Sequence, residues 1–152
     1  MPPEAETIIT ATADHLDHLA PLFDGYRQFY QQPSDVASAR AFLAERLAHQ
    51  ESVIFLALDD QGQGLGFTQL YPTFSSISLR RLWILNDLFV APNARKRGVA
   101  SHLLEAARQH AIQTNAKGLT LQTAHTNLPA QALYESLGWQ WDTEYRSYFL
   151  AV

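Results

Sequence analysis

The chain has 152 residues, 47% hydrophobic and 17% charged, which is enough for one sizeable core and too few for two well-built ones. Its 11 Lys and Arg against 15 Asp and Glu give a formal charge of −4, which argues against a general nucleic-acid binder while leaving room for a small basic pocket. Cysteine is absent, so disulfide scaffolds, thiolate metal sites and cysteine nucleophiles are excluded together.

In chain order, Thr7 to Thr12 is β-branched and predicts a first strand. From Asp14, apolar residues at steps of three and four (Leu16, Leu19, Leu22, Phe23, Tyr26, Phe29, Tyr30) predict a helix, kinked or delayed by Pro21. Phe23 and Phe29 are assigned to its core stripe. After Pro33-Ser34-Asp35, a second helix is expected with Val36, Phe42, Leu43 and Leu47 on one stripe. Val53 to Leu58 reads as a buried strand, and this longest apolar run is far below the roughly 18 residues that a bilayer span needs. MPPEAETIIT has neither a basic region nor an apolar signal core, so the expectation is a cytoplasmic protein that engages no membrane.

Asp59 to Gly64 predicts a turn and Leu65 to Phe74 the returning strand. The glycines from Gly62 to Gly66 lack the GxGxxG spacing and are assigned to that hairpin. Leu82 to Val90 predicts another strand, ended by Pro92. A helix follows with Val99, Leu103, Ala107 and Ala111 on one face, then a short strand at Leu119 to Thr123. Ala130, Leu133 and Leu137 mark a last helix with Gly138 as its left-handed cap, and Trp139 to Val152 is expected to supply one or two final strands. The order predicts an α+β domain spanning 1–152, with a single mixed, mostly antiparallel sheet flanked by about four helices.

The stretch from Val90 to Ser101 carries the most chemical information. A strand ends, a turn holding Arg95, Lys96 and Arg97 follows, and a helix begins near Gly98. The first amides of a helix lack internal partners and sit at its positive end, so they can surround a phosphate. Gly98 and Ala100 leave the backbone open to close approach. A solvated basic turn is the competing reading of these residues. The histidines show no metal-ligand spacing: His15 and His18 have no third ligand, and His102 and His110 are expected on the surface of the long helix. His125, close to Asn127, is a weak candidate for the cleft.

Arg95-x-x-Gly98-x-Ala100 after an apolar strand resembles the acetyl-CoA pyrophosphate motif of the GNAT superfamily of N-acetyltransferases. A second block, Asn127-x-x-Ala130-x-x-Leu133-Tyr134-x-x-x-Gly138-Trp139, is similar to that family's later helix, and the two come in the family order over residues 82–141. Lys96 and Ala100 stand where glycine is frequent. The layout is similar to the small-amine and polyamine acetyltransferases, but where those often carry a carboxylate pair this chain has Asn86-Asp87, one acid fewer.

The resemblance implies an acetyl-CoA-dependent N-acetyltransferase that uses no metal and transfers the acetyl group directly to a primary amine of a small molecule. Amides from Arg97 to Ser101, with Val99 among them, are expected to hold the pyrophosphate together with Arg95 and Lys96. The backbone of Leu88, Phe89 and Val90 pairs the pantetheine arm, and Asn127 bonds it. Tyr134 is the candidate general acid and Asp87 the candidate base; Tyr26, Tyr30, Tyr71 and Asn86 are candidates for the acceptor site, with Asn86 expected on the pleat face opposite Asp87. The alternatives are a lysine acetyltransferase acting on a peptide or protein, a non-catalytic acyl-CoA-binding module, and a phosphate-binding protein unrelated to CoA. The apolar end, Glu144 to Val152, read as an unpaired edge strand, predicts a homodimer.

Overall fold

The structure, a computed structural model, describes residues 6–152. It divides at Leu121 into two compact units, Met1–Leu121 and Gln122–Val152. The first unit contains β1 (Thr7–Thr10), α1 (Leu16–Phe29), α2 (Val36–Ala48), β2 (Val53–Leu58), β3 (Gly64–Ser75), β4 (Arg80–Val90), α3 (Val99–Gln113) and β5 (Gly118–Thr120); the second contains α4 (Leu128–Ser136).

The five strands form one open sheet in the order β1-β2-β3-β4-β5. Every neighbouring pair is antiparallel except β4 and β5, which run parallel. With the four α-helices among the described residues, this is the expected mixed α+β architecture.

Alternation along the strands separates two apolar layers. Ile54, Leu56 and Phe67 pack with Leu19, Leu22 and Phe23 of α1 and Leu43 of α2. Phe55, between Ile54 and Leu56, turns to the other face and meets the ring of His110 on α3. Val99, Leu103, Ala107 and Ala111 are all buried, as their four-residue spacing requires. His110, expected on the surface, is only partly exposed. Its ring lies 4.7 Å from that of Trp83, and burial lowers its pKa below the usual histidine value.

The connection from α1 to α2 is held by a buried carboxylate. Asp24 accepts hydrogen bonds from the Asp35 amide at 2.7 Å, Ser34 Oγ at 2.7 Å and Gln28 Nε2 at 3.0 Å. The bond from the Asp35 amide is the main reason that its pKa falls below the ordinary carboxylate value. Asp35 in turn caps α2 through the Ser38 amide. Pro21 lies within α1, which continues through it after a short 3-10 turn at Ala13–His15.

Several expectations need correction. Phe29 is the last helical residue of α1 and is exposed, packed edge-on against Tyr30 rather than into the core. Val36 and Phe42 are exposed, so α2 buries only Ala39 and Leu43. Gly64 and Gly66 belong to β3, not to the turn before it. The final strands expected from Trp139 onward are not formed. A strand exists only through a partner's hydrogen-bond ladder, and among the described residues no strand follows β5.

Candidate active site

Strand β4 changes face in its middle. Its register against β3 pairs Gln69 with Asp87 and then Leu70 with Leu85, so Asn86 is an extra residue bulged out of the ladder. Before the bulge, Trp83 points to α3 and bonds Thr114 Oγ1 through Nε1 at 2.9 Å. After it, Phe89 points to α1, where its ring lies 3.1 Å from the position that a Cβ on Gly25 would take. Asp87 goes with Phe89. The bulge also overturns the expectation that Asn86 and Asp87 face apart, because Asn86 Nδ2 donates to Asp87 Oδ1 at 2.8 Å.

Asp87 is 2% exposed. Its second oxygen accepts from Gln69 Nε2 at 2.5 Å, and its backbone carbonyl accepts from Thr68 Oγ1 at 2.8 Å. Burial pushes the carboxyl above the usual carboxylate value, opposed by the donors from Asn86, Gln69 and Tyr26. Burial thus favours the protonated form, while the two amides hold the carboxyl in place.

The aromatic candidates divide. Tyr26 donates to the Asn86 carbonyl at 3.2 Å, and its hydroxyl also reaches Asp87. Tyr30 is half exposed, with its ring 5.1 Å from that of Tyr26. Tyr71 lies on the same face of β3 as Gln69, and burial followed by the charge of Asp87 pushes its hydroxyl up to about 12. Tyr26 is pushed up for the same two leading reasons. Both phenols therefore stay neutral at physiological pH. Tyr71 also lines a hollow of about 530 Å³ with Phe42, Arg46, Gln50, Glu51 and Pro72.

The basic turn leads from β4 into α3. Lys96 and Gly98 have φ of 63° and 82°, both in the left-handed region that recurs in anion-binding turns. Gly98 caps α3 without a side-chain hydrogen bond, so no side chain competes for the first amides of the helix. Arg95 Nε donates to the Val90 carbonyl at 3.1 Å and its guanidinium lies 5.8 Å from the centre of the Phe89 ring. Arg97 donates to the Asn93 carbonyl at 3.4 Å. Arg95, Lys96 and Arg97 are all exposed. These features fit a diphosphate. Beside the turn, β5 pairs with β4 only from Leu82 to Ile84, so along Leu88, Phe89 and Val90 that edge of β4 has no strand partner among the described residues.

In the second unit, Asn127 caps α4 by accepting from the Ala130 amide at 3.4 Å. Tyr134 is half buried, its ring 6.0 Å from that of Trp139. Gly138 has φ of 94° and closes the helix as expected, with the Trp139 amide bonding back to the Tyr134 carbonyl at 3.0 Å. His125 is exposed, and its carbonyl accepts from Gln131 Nε2 at 3.1 Å. Among the described residues, no group of three or more His, Cys, Asp or Glu could hold a metal ion, and no helix is long and apolar enough to cross a membrane.

Gln69 and Thr68 were missed in the sequence. The available signal was a polar pair inside an otherwise apolar strand, Leu65 to Tyr71.

The profile of the Acetyltransferase (GNAT) family matches residues 19–139. An uncharacterized N-acetyltransferase of Bacillus subtilis (strain 168), YhfO, is 54% identical over 134 residues, covering 88% of this chain and 89% of its own. A crystal structure of a probable acetyltransferase superposes with a TM-score of 0.92 at 50% identity, over 96% of this chain and 97% of that one. The aminoglycoside N-acetyltransferase AAC(6')-Iy, in complex with CoA, shares the fold at a TM-score of 0.79 and 23% identity, over 97% of this chain and 95% of its own.

Proposed function

The chain belongs to the GNAT family and is an acetyl-CoA-dependent N-acetyltransferase, and from that premise we propose that its 152 residues act as one catalytic domain that acetylates a primary amine of a small molecule. The observation that carries this reading is the buried Asp87 carboxylate, set among Gln69, Asn86, Tyr26 and Tyr71 on the sheet face covered by α1 and α2.

Acetyl-CoA supplies the thioester carbonyl and the thiolate leaving group. The amides from Arg97 to Ser101, at a helix start that Gly98 caps without a side chain, hold its diphosphate with Arg95, Lys96 and Arg97 around them. The open edge at Leu88, Phe89 and Val90 pairs the amide-like pantetheine arm as an added strand, and one of its N–H groups polarises the acetyl carbonyl. Asn127 bonds the same arm.

The acceptor arrives as an ammonium ion and must lose a proton before its nitrogen can attack. Asp87 takes that proton. Tyr26, Tyr30, Tyr71 and Asn86 surround the amine, and aromatic faces favour the cation before it is deprotonated. Tyr71 also borders the hollow with Phe42 and Glu51, which accommodates the rest of a small acceptor. Tyr134 protonates the departing thiolate, because a phenol near 10 is still protonated where a thiol near 8.5 begins to ionise. The chain has no cysteine to carry a thioester, which favours direct transfer.

The net charge of −4 suits a cationic acceptor, and the lack of cysteine suits the cytoplasm. Tyr145, Tyr148, Phe149 and Leu150 are strongly exposed, and a second copy of the chain would cover them in a homodimer. Sedimentation at micromolar concentration should show that dimer, and a monomer alone would remove it from the proposal.

The deciding experiment mixes protein, acetyl-CoA and a panel of small amines and lysine peptides, and follows free thiol. Thiol release that depends on a small amine is expected. Release with lysine peptides alone would reassign the acceptor to a protein side chain. Tight CoA binding with no acceptor-dependent release would make the chain a binding module.

A further inference from the structure

We propose that Gln69 is the positioning residue of the Asp87 carboxyl, and that its two amide ends serve the two states of that group: Nε2 donates to the carboxylate, and Oε1 accepts from the neutral acid. The proposal rests on the reading of Asp87 as base.

Gln69 is fully buried in β3, directly across the ladder from Asp87. Its Nε2 donates to Asp87 Oδ2 at 2.5 Å, while Asn86 Nδ2 donates to Oδ1 at 2.8 Å. Each carboxylate oxygen is thus gripped by one amide, from two different strands. The arrangement fixes the plane of the carboxylate, which a single donor would leave free to rotate.

The other end of the same amide has no such partner. Gln69 Oε1 is buried with no hydrogen-bond partner among the described residues. A polar atom in that position is costly unless some state of the protein uses it. The reaction provides one. When Asp87 takes a proton from the acceptor ammonium, the N–H bond breaks, an O–H bond forms on the carboxyl, and the amine keeps its electron pair. A half-turn of the Gln69 amide then brings Oε1 to the carboxyl, where it accepts from that O–H.

An amide suits this task better than a cation. Arg or Lys beside Asp87 would hold the charge so firmly that the carboxylate could not act as a base. The titratable groups facing Asp87 among the described residues are Tyr26 from α1 and Tyr71 from β3, with Arg46 of α2 acting on Tyr71. Both tyrosines stay neutral in the working range, so burial raises the proton affinity of the carboxyl and the donors from Asn86, Gln69 and Tyr26 hold it down.

The test compares Gln69→Met, similar in length but unable to donate, and Gln69→Glu, equal in shape, with the parent enzyme, using the pH dependence of kcat/KM. In Gln69→Met the acid limb should move to higher pH by about one unit, the loss of one charge-assisted hydrogen bond. In Gln69→Glu it should move further, because two adjacent carboxyls share one proton. The KM for acetyl-CoA should be unchanged in both. An acid limb at the parental position, in whichever variant folds, would overturn the proposal, even if the melting temperature fell. Asp87→Asn is measured alongside. If it keeps the parental rate and profile, the base assignment itself fails, and that failure is seen without reference to Gln69.

Discussion

Trp83 and Phe89 stand six residues apart on β4, yet their rings pack on opposite faces of the sheet, one against α3 and the other against α1. Strict alternation would put them on the same face. The bulge at Asn86 accounts for the difference, and it is the reason that Asp87 lies with Gln69 and Tyr26 instead of under α3.

Asp87→Asn should reduce kcat by about 10²–10⁴-fold, the usual contribution of positioned proton transfer. It should not reduce stability at neutral pH. Burial raises the proton affinity of this carboxyl above the ordinary carboxylate value, so its contribution to stability is fully present below that ordinary value and is lost as pH rises through the raised pKa. A neutral amide avoids that loss. Thermal unfolding at pH 5 and pH 8 is the check: the variant should gain relative to the parent at pH 8, and a variant less stable at pH 8 would contradict the assignment.

Tyr134→Phe removes one oxygen from a half-buried ring. If the phenol donates the proton to the departing thiolate, kcat should fall about 10²-fold while the calorimetric Kd for CoA stays within a factor of about two. Equal losses in both would make Tyr134 a binding residue only.

Gly98→Ala places a Cβ at φ 82°, with His102 Cε1 3.7 Å away. The space is available and the conformation is not, so about 1–2 kcal/mol of strain is expected. Relief of that strain by rotation of the turn would disperse the amides between Arg97 and Ser101. CoA affinity should therefore fall about tenfold, and an unchanged Kd would show that these amides do not hold the diphosphate.

Gly66→Ala tests the close approach of β3 to β4. A Cβ there would lie 2.6 Å from the Phe89 carbonyl oxygen, a main-chain atom fixed in the ladder. The strands must separate by several tenths of an ångström, and a loss of about 2–4 kcal/mol in urea unfolding is expected.

The legible parts of the sequence were those governed by short-range periodicity or turn chemistry. Val99, Leu103, Ala107 and Ala111 announce their buried face by spacing, Gly138 its left-handed cap by position, and Gly98 the start of α3. The candidate site was legible at Asp87 and around Arg95 through the motif that follows them. The bulge was not, because Leu82 to Val90 reads as an unbroken apolar strand whether or not one residue is extra. Gln69 stayed hidden for a related reason: its partner lies across the ladder, and register is a long-range property. At the chain's end, Tyr145 to Val152 has strand-like composition, but composition alone supplies no ladder partner.

If Tyr26 lines the acceptor site as proposed, the clasp at Asp24 bears on how the enzyme chooses its acceptor. Three hydrogen bonds fix the corner between α1 and α2 two residues before Tyr26. The wall that carries Tyr26 is already ordered in the free protein, so most of the entropy of arranging it is spent during folding and little remains to be spent on binding. Selectivity on that side would then come from rigid complementarity, rejecting a poorly shaped amine at the door instead of adapting to it.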